Sequence, residues 1–233
     1  MPRDVAAIVV AAGYGSRFGG GDTPKQYQPI GGVPMVLRAL RPFTSHPDVA
    51  QVVLVLPPDD AANPPAFLSD LSAFSSFSAL SIVPGGAHRG DSVRAGLSVV
   101  RAECAVVLVH DGARPFVERG VIDGVIDYAR RGEGAVAAVP LSDTLKEASS
   151  ADPLRIERTL SRERLWRAQT PQGFPRTVLE RAYASAGANA TDDAALVEAL
   201  GVPVRLVPDS ARNLKITTPE DLALAELLAR ERV

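Results

Sequence analysis

The sequence predicts an α/β fold: a Rossmann-like, mostly parallel sheet flanked by helices. Six short runs rich in Val, Leu, Ile and Ala recur along the chain, and apolar runs of this length are typical of strands buried on both faces of a parallel sheet. Segments whose apolar residues repeat at helical intervals separate most of these runs. Glycine-rich turns follow two of them, as they do where a parallel sheet binds a ligand at the carboxyl ends of its strands.

The predicted elements alternate along the chain as this fold requires. The predicted strands span residues 5–10, 52–56, 80–84, 105–109, 135–139 and 202–207. The predicted helices begin near residue 34, after the turn at 85–90, at 118, at 174, after 191 and after 218, and residues 59–79 predict a weak helix with loops. The chain of 233 residues, with 46% hydrophobic and 22% charged residues, is expected to form a single domain over residues 1–233.

Composition argues against several classes of protein. A net charge of −2 is unlike the strongly basic balance of a general nucleic-acid binder, so no nucleic-acid partner is expected. Cys104 is the single cysteine of the sequence, which excludes an intrachain disulfide and suits a reducing cytoplasm. No apolar run reaches the roughly 18 residues of a membrane span, and the N-terminus lacks a signal-peptide core, so we expect no membrane association.

The first glycine-rich stretch runs from Ala11 to Gln26 and reads AAGYGSRFGGGDTPKQ. Glycine lets backbone N–H groups approach an anion closely, and Arg17 and Lys25 add positive charge to the same loop. After a buried strand, this combination predicts a phosphate-binding loop. The candidate backbone contacts come from Ala11, Ala12, Gly13 and Gly15. A surface loop with solvated charges is the alternative.

Two familiar phosphate loops do not fit this stretch. A Walker loop requires GxxxxGK followed by Ser or Thr, and the sequence contains no such string. A dinucleotide fingerprint requires GxGxxG, but Phe18 stands where its third glycine should be. The broken fingerprint disfavours an NAD-dependent oxidoreductase.

A second glycine turn, at Gly85 and Gly86, is predicted to open a helix capped by Asp91 or Ser92. An ordinary capped helix would explain the same pattern. Asp111 follows the fourth predicted strand, where a single carboxylate can hold Mg²⁺ beside bound phosphates. A turn or a helix cap is the alternative for Asp111.

Residues 140–174 interrupt the alternation of strands and helices. Roughly alternating polarity in the two halves of this stretch predicts two antiparallel strands that form a hairpin arm. Because an isolated two-stranded arm is marginally stable in water, we expect it to pack on the arm of a second copy and to form a homodimer. An arm folded back on its own domain is the alternative.

Several separated strings of the sequence form one set of motifs: AAGYGSR, PKQ, GGAHRGDSVRAGL, VHDGARPF, DTLK, LWRAQTPQGF and TDDA. Together they resemble the motifs of one enzyme family, 2-C-methyl-D-erythritol 4-phosphate cytidylyltransferase. The family is part of a wider group of nucleotidyltransferases that join a sugar phosphate to a nucleoside monophosphate. The resemblance extends from residue 5 to about residue 228, and its motifs occur in the order of the family. A departure stands at Asp209-Ser210, where many relatives have a glycine before the serine.

The resemblance implies a reaction between CTP and 2-C-methyl-D-erythritol 4-phosphate that releases pyrophosphate. It also implies roles for individual residues. It implies that Arg17, Lys25 and Lys215 are catalytic. It also implies that Gly85, Gly86 and Ser92 select cytosine and that Asp111 binds Mg²⁺. Acceptor binding falls to Arg114, Thr144, Arg162, Thr170, Thr191 and Lys215, some of them from a neighbouring subunit.

Two alternatives remain open at this point. One is the same chemistry on ribitol 5-phosphate, and the other is a non-catalytic nucleotide-sensing protein of the same fold. Some members of the family carry a fused cyclase domain; since this chain ends at Val233, we expect a monofunctional enzyme.

Overall fold

The computed structural model describes residues 3–13, 18, 23–69, 80–185 and 192–231. The strands in these ranges are β1 (Val5–Val10), β2 (Pro29–Ile30), β3 (Val33–Pro34), β4 (Val49–Leu56), β5 (Leu80–Pro84), β6 (Val106–Asp111), β7 (Gly134–Pro140), β8 (Leu145–Ala148), β9 (Ile156–Leu160), β10 (Trp166–Pro175) and β11 (Val204–Pro208). The helices are α1 (Met35–Thr44), α2 (Pro58–Ala62), α3 (Ala66–Ser69), α4 (Arg89–Leu97), α5 (Arg119–Arg130), α6 (Arg176–Ser185), α7 (Asp193–Glu198) and α8 (Pro219–Arg230).

Within the described ranges, seven strands form the main sheet in the order β11-β7-β10-β6-β1-β4-β5. Strand β10 runs antiparallel to both of its neighbours, whereas the other adjacent pairs are parallel. Helices cover both faces of this sheet. The predicted fold class, a mostly parallel sheet between helices, is therefore confirmed.

Strand β1 shows why the central runs are continuously apolar. Its residues Val5, Ala7 and Val9 pack with α1 and α5 on one face of the sheet. Ala6 and Ile8 pack with α4, α6 and α7 on the opposite face. Successive side chains of a strand point to opposite faces, so a strand covered on both sides needs apolar residues throughout.

The predicted arm is correct in one part and wrong in another. Strands β8 and β9 form an antiparallel hairpin, as expected. Residues 166–174, the last part of the predicted arm, instead belong to β10, which lies between β6 and β7 in the main sheet. The side chain of Gln172 is buried there because its amide nitrogen donates to Asp192 and its amide oxygen accepts from the Ala194 N–H. These bonds let a polar residue occupy a central strand.

Helix α4 does not begin at a predicted cap. It begins at Arg89, before Asp91 and Ser92, and Asp91 lies inside its first turn, where it accepts a hydrogen bond from the His88 N–H at 3.1 Å. Asp192 caps α7 and Thr218 caps α8, because their side chains accept hydrogen bonds from Ala195 N and Asp221 N.

The carboxyl ends of the parallel strands place the candidate residues on one edge of the sheet. Strands β1, β4, β5 and β6 run in the same direction. Ala11 to Gly13 follow β1, Gly85 and Gly86 follow β5, and Asp111 ends β6. Residues far apart in the sequence therefore meet at this edge.

Candidate active site

A cleft of about 350 Å³ opens at the carboxyl edge of the sheet. Its walls include Ala12, Gly13, Lys25, Gly86, Asp111 and Lys215. Its volume lies within the range of small-molecule sites in proteins. The structure thus brings together residues from four of the predicted motifs, including both described lysines of the predicted catalytic set.

Glycine is required at the turn after β5 because the backbone comes very close to its neighbours. A Cβ on Gly85 would lie 2.3 Å from the Cβ of Ala12, and one on Gly86 would lie 2.4 Å from the Cβ of Asp91. The Ser92 hydroxyl accepts a hydrogen bond from the Gly86 N–H at 3.2 Å. Ser92 therefore fixes the main chain of this turn, which borders the cleft.

The structure describes the two ends of the first glycine-rich stretch. Ala11 and Ala12 are buried after β1, and a Cβ on Gly13 would meet no atom of the described residues within 4 Å. Lys25 lies in a short 3₁₀ turn, and its ammonium group donates to the carbonyl oxygen of Ile216 at 3.0 Å. This bond ties Lys25 to the segment that carries Lys215. Gly15 and Arg17 lie outside the described residues.

Asp111 lies among three positive charges. Its Oδ1 is 3.3 Å from Arg89 Nε, and its Oδ2 is 3.0 Å from Lys215 Nζ and 3.5 Å from Arg114 Nε. Burial alone would raise the pKa of Asp111, but these cations outweigh burial and hold the pKa well below its usual range. Asp111 is therefore a carboxylate at any physiological pH.

His110 supports Asp111 from behind the cleft and is not exposed to it. Its Nε2 lies 2.9 Å from the carbonyl oxygen of Arg114, so Nε2 carries the proton and Nδ1 accepts. Thr170 Oγ1 then donates to Nδ1 at 3.0 Å and accepts from the Asp111 N–H at 3.0 Å. Burial lowers the pKa of His110 to about 4, which keeps the ring neutral. His110 is therefore a packed, hydrogen-bonded residue of the core.

The residues predicted to bind the acceptor are spread over different parts of the structure. Arg114 is buried beside Asp111, where its Nη1 donates to the carbonyl oxygen of Asn213 at 2.7 Å. Thr170 is buried with its hydroxyl already engaged by His110 and Asp111. Thr144 and Arg162 are exposed on the arm and are not part of the cleft wall. Thr191 lies outside the described residues.

Arg89 and Gln26 are polar residues at the cleft that were not selected from the sequence. Arg89 pairs with Asp111 and also with Asp193, whose carboxylate lies 2.8 Å from Arg89 Nη2. Gln26 is buried against the cleft, and its amide oxygen has no hydrogen-bond partner among the described residues. The glycine-turn motif contains Arg89, but no local spacing indicates that its partners come from β6 and α7.

The described residues contain no group of three or more His, Cys, Asp or Glu side chains that could hold a metal ion by themselves. This arrangement fits Mg²⁺ bound together with a polyphosphate, because Mg²⁺ often takes one or two carboxylates and fills its other positions with phosphate oxygens and water. Asp111 is the carboxylate at the cleft that suits this role.

Comparison with known proteins identifies the family of the chain. The family model described as 2-C-methyl-D-erythritol 4-phosphate cytidylyltransferase, IspD, matches residues 5–231. The chain belongs to the IspD family. IspD proteins are cytidylyltransferases, so this chain is an enzyme of the nucleotidyltransferase class. The resemblance read from the motifs is thereby confirmed, and membership favours this activity over the ribitol 5-phosphate and nucleotide-sensing alternatives.

Individual relatives match this IspD chain along its length. The 2-C-methyl-D-erythritol 4-phosphate cytidylyltransferase of Syntrophus aciditrophicus is 42% identical over 99% of this chain and 98% of its own. That of Nitrosomonas eutropha is 43% identical over 97% of each chain. The crystal structure of the Thermus thermophilus enzyme superposes with a TM-score of 0.77 at 37% identity and covers 96% of this chain and 98% of its own.

The helices in the described part of the chain differ from membrane spans, because each of them is too short or too polar to cross a bilayer.

Proposed function

We propose that this enzyme converts CTP and 2-C-methyl-D-erythritol 4-phosphate into 4-diphosphocytidyl-2-C-methyl-D-erythritol and pyrophosphate, as part of non-mevalonate isoprenoid biosynthesis. The observation that carries the proposal is the match of the IspD family model over residues 5–231. The convergence of Lys25, Asp111 and Lys215 with the turn at Gly85 and Gly86 on one cleft supports it.

The chemistry requires charge and positioning more than proton transfer. A phosphate oxygen of the acceptor attacks the α-phosphorus of CTP, a new P–O bond forms, and the bond to the bridging oxygen of the departing pyrophosphate breaks. The second pKa of a phosphate monoester is about 6, so the nucleophile is already largely dianionic at neutral pH. No general base is needed, and the neutral, buried ring of His110 is consistent with this.

The main obstacle is the approach of two anions. Fixed cations next to the transferred phosphoryl group lower this barrier because they are already in place when charge develops. We assign this role to Lys25, to Lys215 and, from its position in the loop motif, to Arg17. The bond from Lys25 to the Ile216 carbonyl keeps the two lysine-bearing segments together.

Asp111 would hold Mg²⁺, which supplies charge neutralisation for the triphosphate when bound. The single carboxylate at the end of β6 and its low pKa support this assignment. Removal of divalent cations with EDTA should abolish turnover, and added Mg²⁺ should restore it. Full turnover in EDTA would contradict the assignment.

Selectivity for cytosine is assigned to the turn that carries Gly85, Gly86 and Ser92. The turn exposes backbone groups to the cleft and is held by the Ser92 hydroxyl. A small pyrimidine can be read by such main-chain donors and acceptors where glycine permits close approach. CTP should therefore be a much better substrate than UTP, ATP or GTP.

The arm is proposed to join two copies of the chain. It carries Leu154, which is 96% exposed, and Ile156, which is 59% exposed, although apolar side chains of this size are normally covered. Thr144 and Arg162 also lie on the arm, and a dimer would let them act at the cleft of the partner subunit. Homodimer formation by residues 141–165, the part of the predicted arm that lies outside the main sheet, and acceptor binding by these two residues are parts of this proposal.

A matched pair of variants tests the arm. Ile156→Glu on the arm and Leu227→Glu on α8 change side chains of nearly equal exposure, 59% and 58%. Light scattering should show that Ile156→Glu weakens the dimer, while Leu227→Glu behaves as the wild type. A monomeric wild-type protein with full activity would contradict the proposal.

The reaction is tested by pyrophosphate release from CTP with either 2-C-methyl-D-erythritol 4-phosphate or ribitol 5-phosphate as the acceptor. Release with the first acceptor at a much higher kcat/KM is expected. Equal or better turnover of ribitol 5-phosphate would overturn the acceptor assignment, and CTP binding without release would indicate a sensor. The cytoplasmic location predicted from the single cysteine is tested by cell fractionation.

A further inference from the structure

Arg89 lies between two carboxylates of different character. Its Nε is 3.3 Å from Asp111 Oδ1 in the cleft, and its Nη2 is 2.8 Å from Asp193 Oδ2 at the start of α7. Burial opposes the charged form of Arg89, but the two carboxylates outweigh burial and raise its pKa. Arg89 therefore remains a cation that two anions share.

Asp193 is held firmly in place. It is fully buried, and the hydroxyl of Tyr183 donates a hydrogen bond to its Oδ1. Among the described residues, no well-aligned hydrogen bond reaches its Oδ2, although Arg89 Nη2 approaches within 2.8 Å. Arg89 Nε donates a hydrogen bond to Asp111 Oδ1 at 3.3 Å, so one guanidinium is shared between a hydrogen bond to Asp111 and a close ion pair with Asp193.

The other two cations at Asp111 lack this second partner. Across the part of the chain that the structure describes, neither Arg114 nor Lys215 lies within 4.0 Å of a carboxylate besides Asp111. Any divalent cation that approaches Asp111 must compete with the three positive charges around it. Arg89 differs from them because it also pairs with Asp193. If a metal ion displaced Arg89 from Asp111, Arg89 would still have a carboxylate partner.

We propose that Asp193, held by Tyr183, is a positioning residue that shares Arg89 with Asp111 and so keeps one oxygen of Asp111 available for the divalent cation that binds with CTP. This inference rests on the proposed function of the same cleft. Without the charge of Asp193, Arg89 would pair with Asp111 alone, and the ion pair would compete more strongly with the metal.

Asp193→Asn tests the proposal because it removes the charge but keeps a side-chain oxygen that can accept from Tyr183. Mn²⁺ serves as the probe, and electron paramagnetic resonance measures its binding to the protein with CTP and without acceptor. We expect binding about tenfold weaker than in the wild type, the size of one coupled neighbouring pair. CTP affinity in EDTA, measured by calorimetry, separates any effect of Arg89 on the nucleotide itself.

Turnover gives a second readout with a specific signature. In Asp193→Asn, the Mg²⁺ concentration for half-maximal rate should rise by about the same factor, while kcat at saturating Mg²⁺ should stay close to the wild-type value. Arg94→Gln is the matched control, since Arg94 is also on α4 and stacks on the Tyr183 ring but pairs with the exposed Asp91. It should leave both Mn²⁺ binding and turnover unchanged.

Two further variants test the proposal even if Asp193→Asn does not fold. Tyr183→Phe keeps the buried ring but removes the hydroxyl that holds Asp193, so it should weaken Mn²⁺ binding by a smaller factor. The double variant Arg89→Gln/Asp193→Asn replaces the ion pair by two neutral amides and should bind Mn²⁺ at least as tightly as the wild type. Wild-type Mn²⁺ affinity in folded Asp193→Asn, or in Tyr183→Phe if Asp193→Asn does not fold, would overturn the proposal. So would a double variant that binds as weakly as Asp193→Asn. Mn²⁺ binding is measured without acceptor, so a wild type that releases no pyrophosphate would overturn the proposed function and leave this test intact.

Discussion

Replacing Thr170 by Val should destabilise the protein strongly, because the Thr170 hydroxyl satisfies two buried groups at once. It donates to His110 Nδ1 and accepts from the Asp111 N–H, both at 3.0 Å. Valine has nearly the same shape but offers neither bond. Each of the two buried polar groups left without a partner costs about 1–3 kcal/mol, so we expect a loss of about 2–6 kcal/mol.

Urea unfolding and thermal scans measure this loss. For a chain of this size, each kcal/mol lowers the Tm by about 2–4 °C, so the Tm should fall by roughly 4–24 °C. Thr170→Ser keeps the hydroxyl and should lose much less stability. Thr159→Val is the matched control, because the Thr159 hydroxyl bonds to Lys146 on the exposed arm. A Thr170→Val protein within about 0.5 kcal/mol of the wild type would refute the hydrogen-bond network.

The remaining predictions concern catalysis, pH and packing. Lys25→Ala should fold normally but lose about 10²-fold or more of kcat, since a preorganised cation is removed; circular dichroism and pyrophosphate release measure both. The folded pKa of His110, about 4, lies below its ordinary value, so the stabilisation from its neutral ring is complete above about pH 6.5 and is lost as the pH falls toward 4. Urea unfolding at pH 7 and at pH 5 measures this effect. Between the two pH values, the free energy of unfolding should fall less in His110→Gln than in the wild type. Gly85→Ala should cost about 1–3 kcal/mol in urea unfolding, because its Cβ would lie 2.3 Å from that of Ala12, whereas Gly120→Ala, with nothing within 4 Å, should change stability by no more than about 1 kcal/mol.

Each of these predictions has a contradicting result. Near-wild-type turnover in folded Lys25→Ala would remove that residue from the catalytic set. An equal loss of stability between pH 7 and pH 5 in the wild type and His110→Gln would show that His110 does not contribute through its neutral form. Equal stabilities of the two glycine variants would contradict the close approach at Gly85.

The sequence predicts best those parts of the fold that depend on local pattern. Strand β1 occurs at the predicted residues because an apolar run that is buried on both faces of the sheet gives a clear local pattern. The pattern did not separate β10 from the arm, because the polar Gln172 is satisfied by Asp192 and Ala194, contacts that exist only after α7 has packed. A polar residue in a central strand gives no local signal of these bonds.

The same distinction applies to the candidate site. Lys25 and Asp111 could be selected because their positions after buried strands imply a role at the edge of the sheet. The role of Arg89 could not be predicted from the sequence, since it depends on Asp193, which lies more than 100 residues later in the chain. The sequence likewise gives no signal that the Thr170 hydroxyl bonds to His110 and to the Asp111 N–H, since these contacts join β6 and β10.

A crystal structure of the protein with CTP and Mg²⁺ tests the central claim most directly, namely that the cleft at the carboxyl edge of the sheet binds the reacting nucleotide. We predict that the cytosine ring contacts the Gly86 turn and that the triphosphate lies within hydrogen-bond distance of Lys25 Nζ, with the metal at Asp111. A nucleotide bound elsewhere, with Lys25 directed away from its phosphates, would contradict the account.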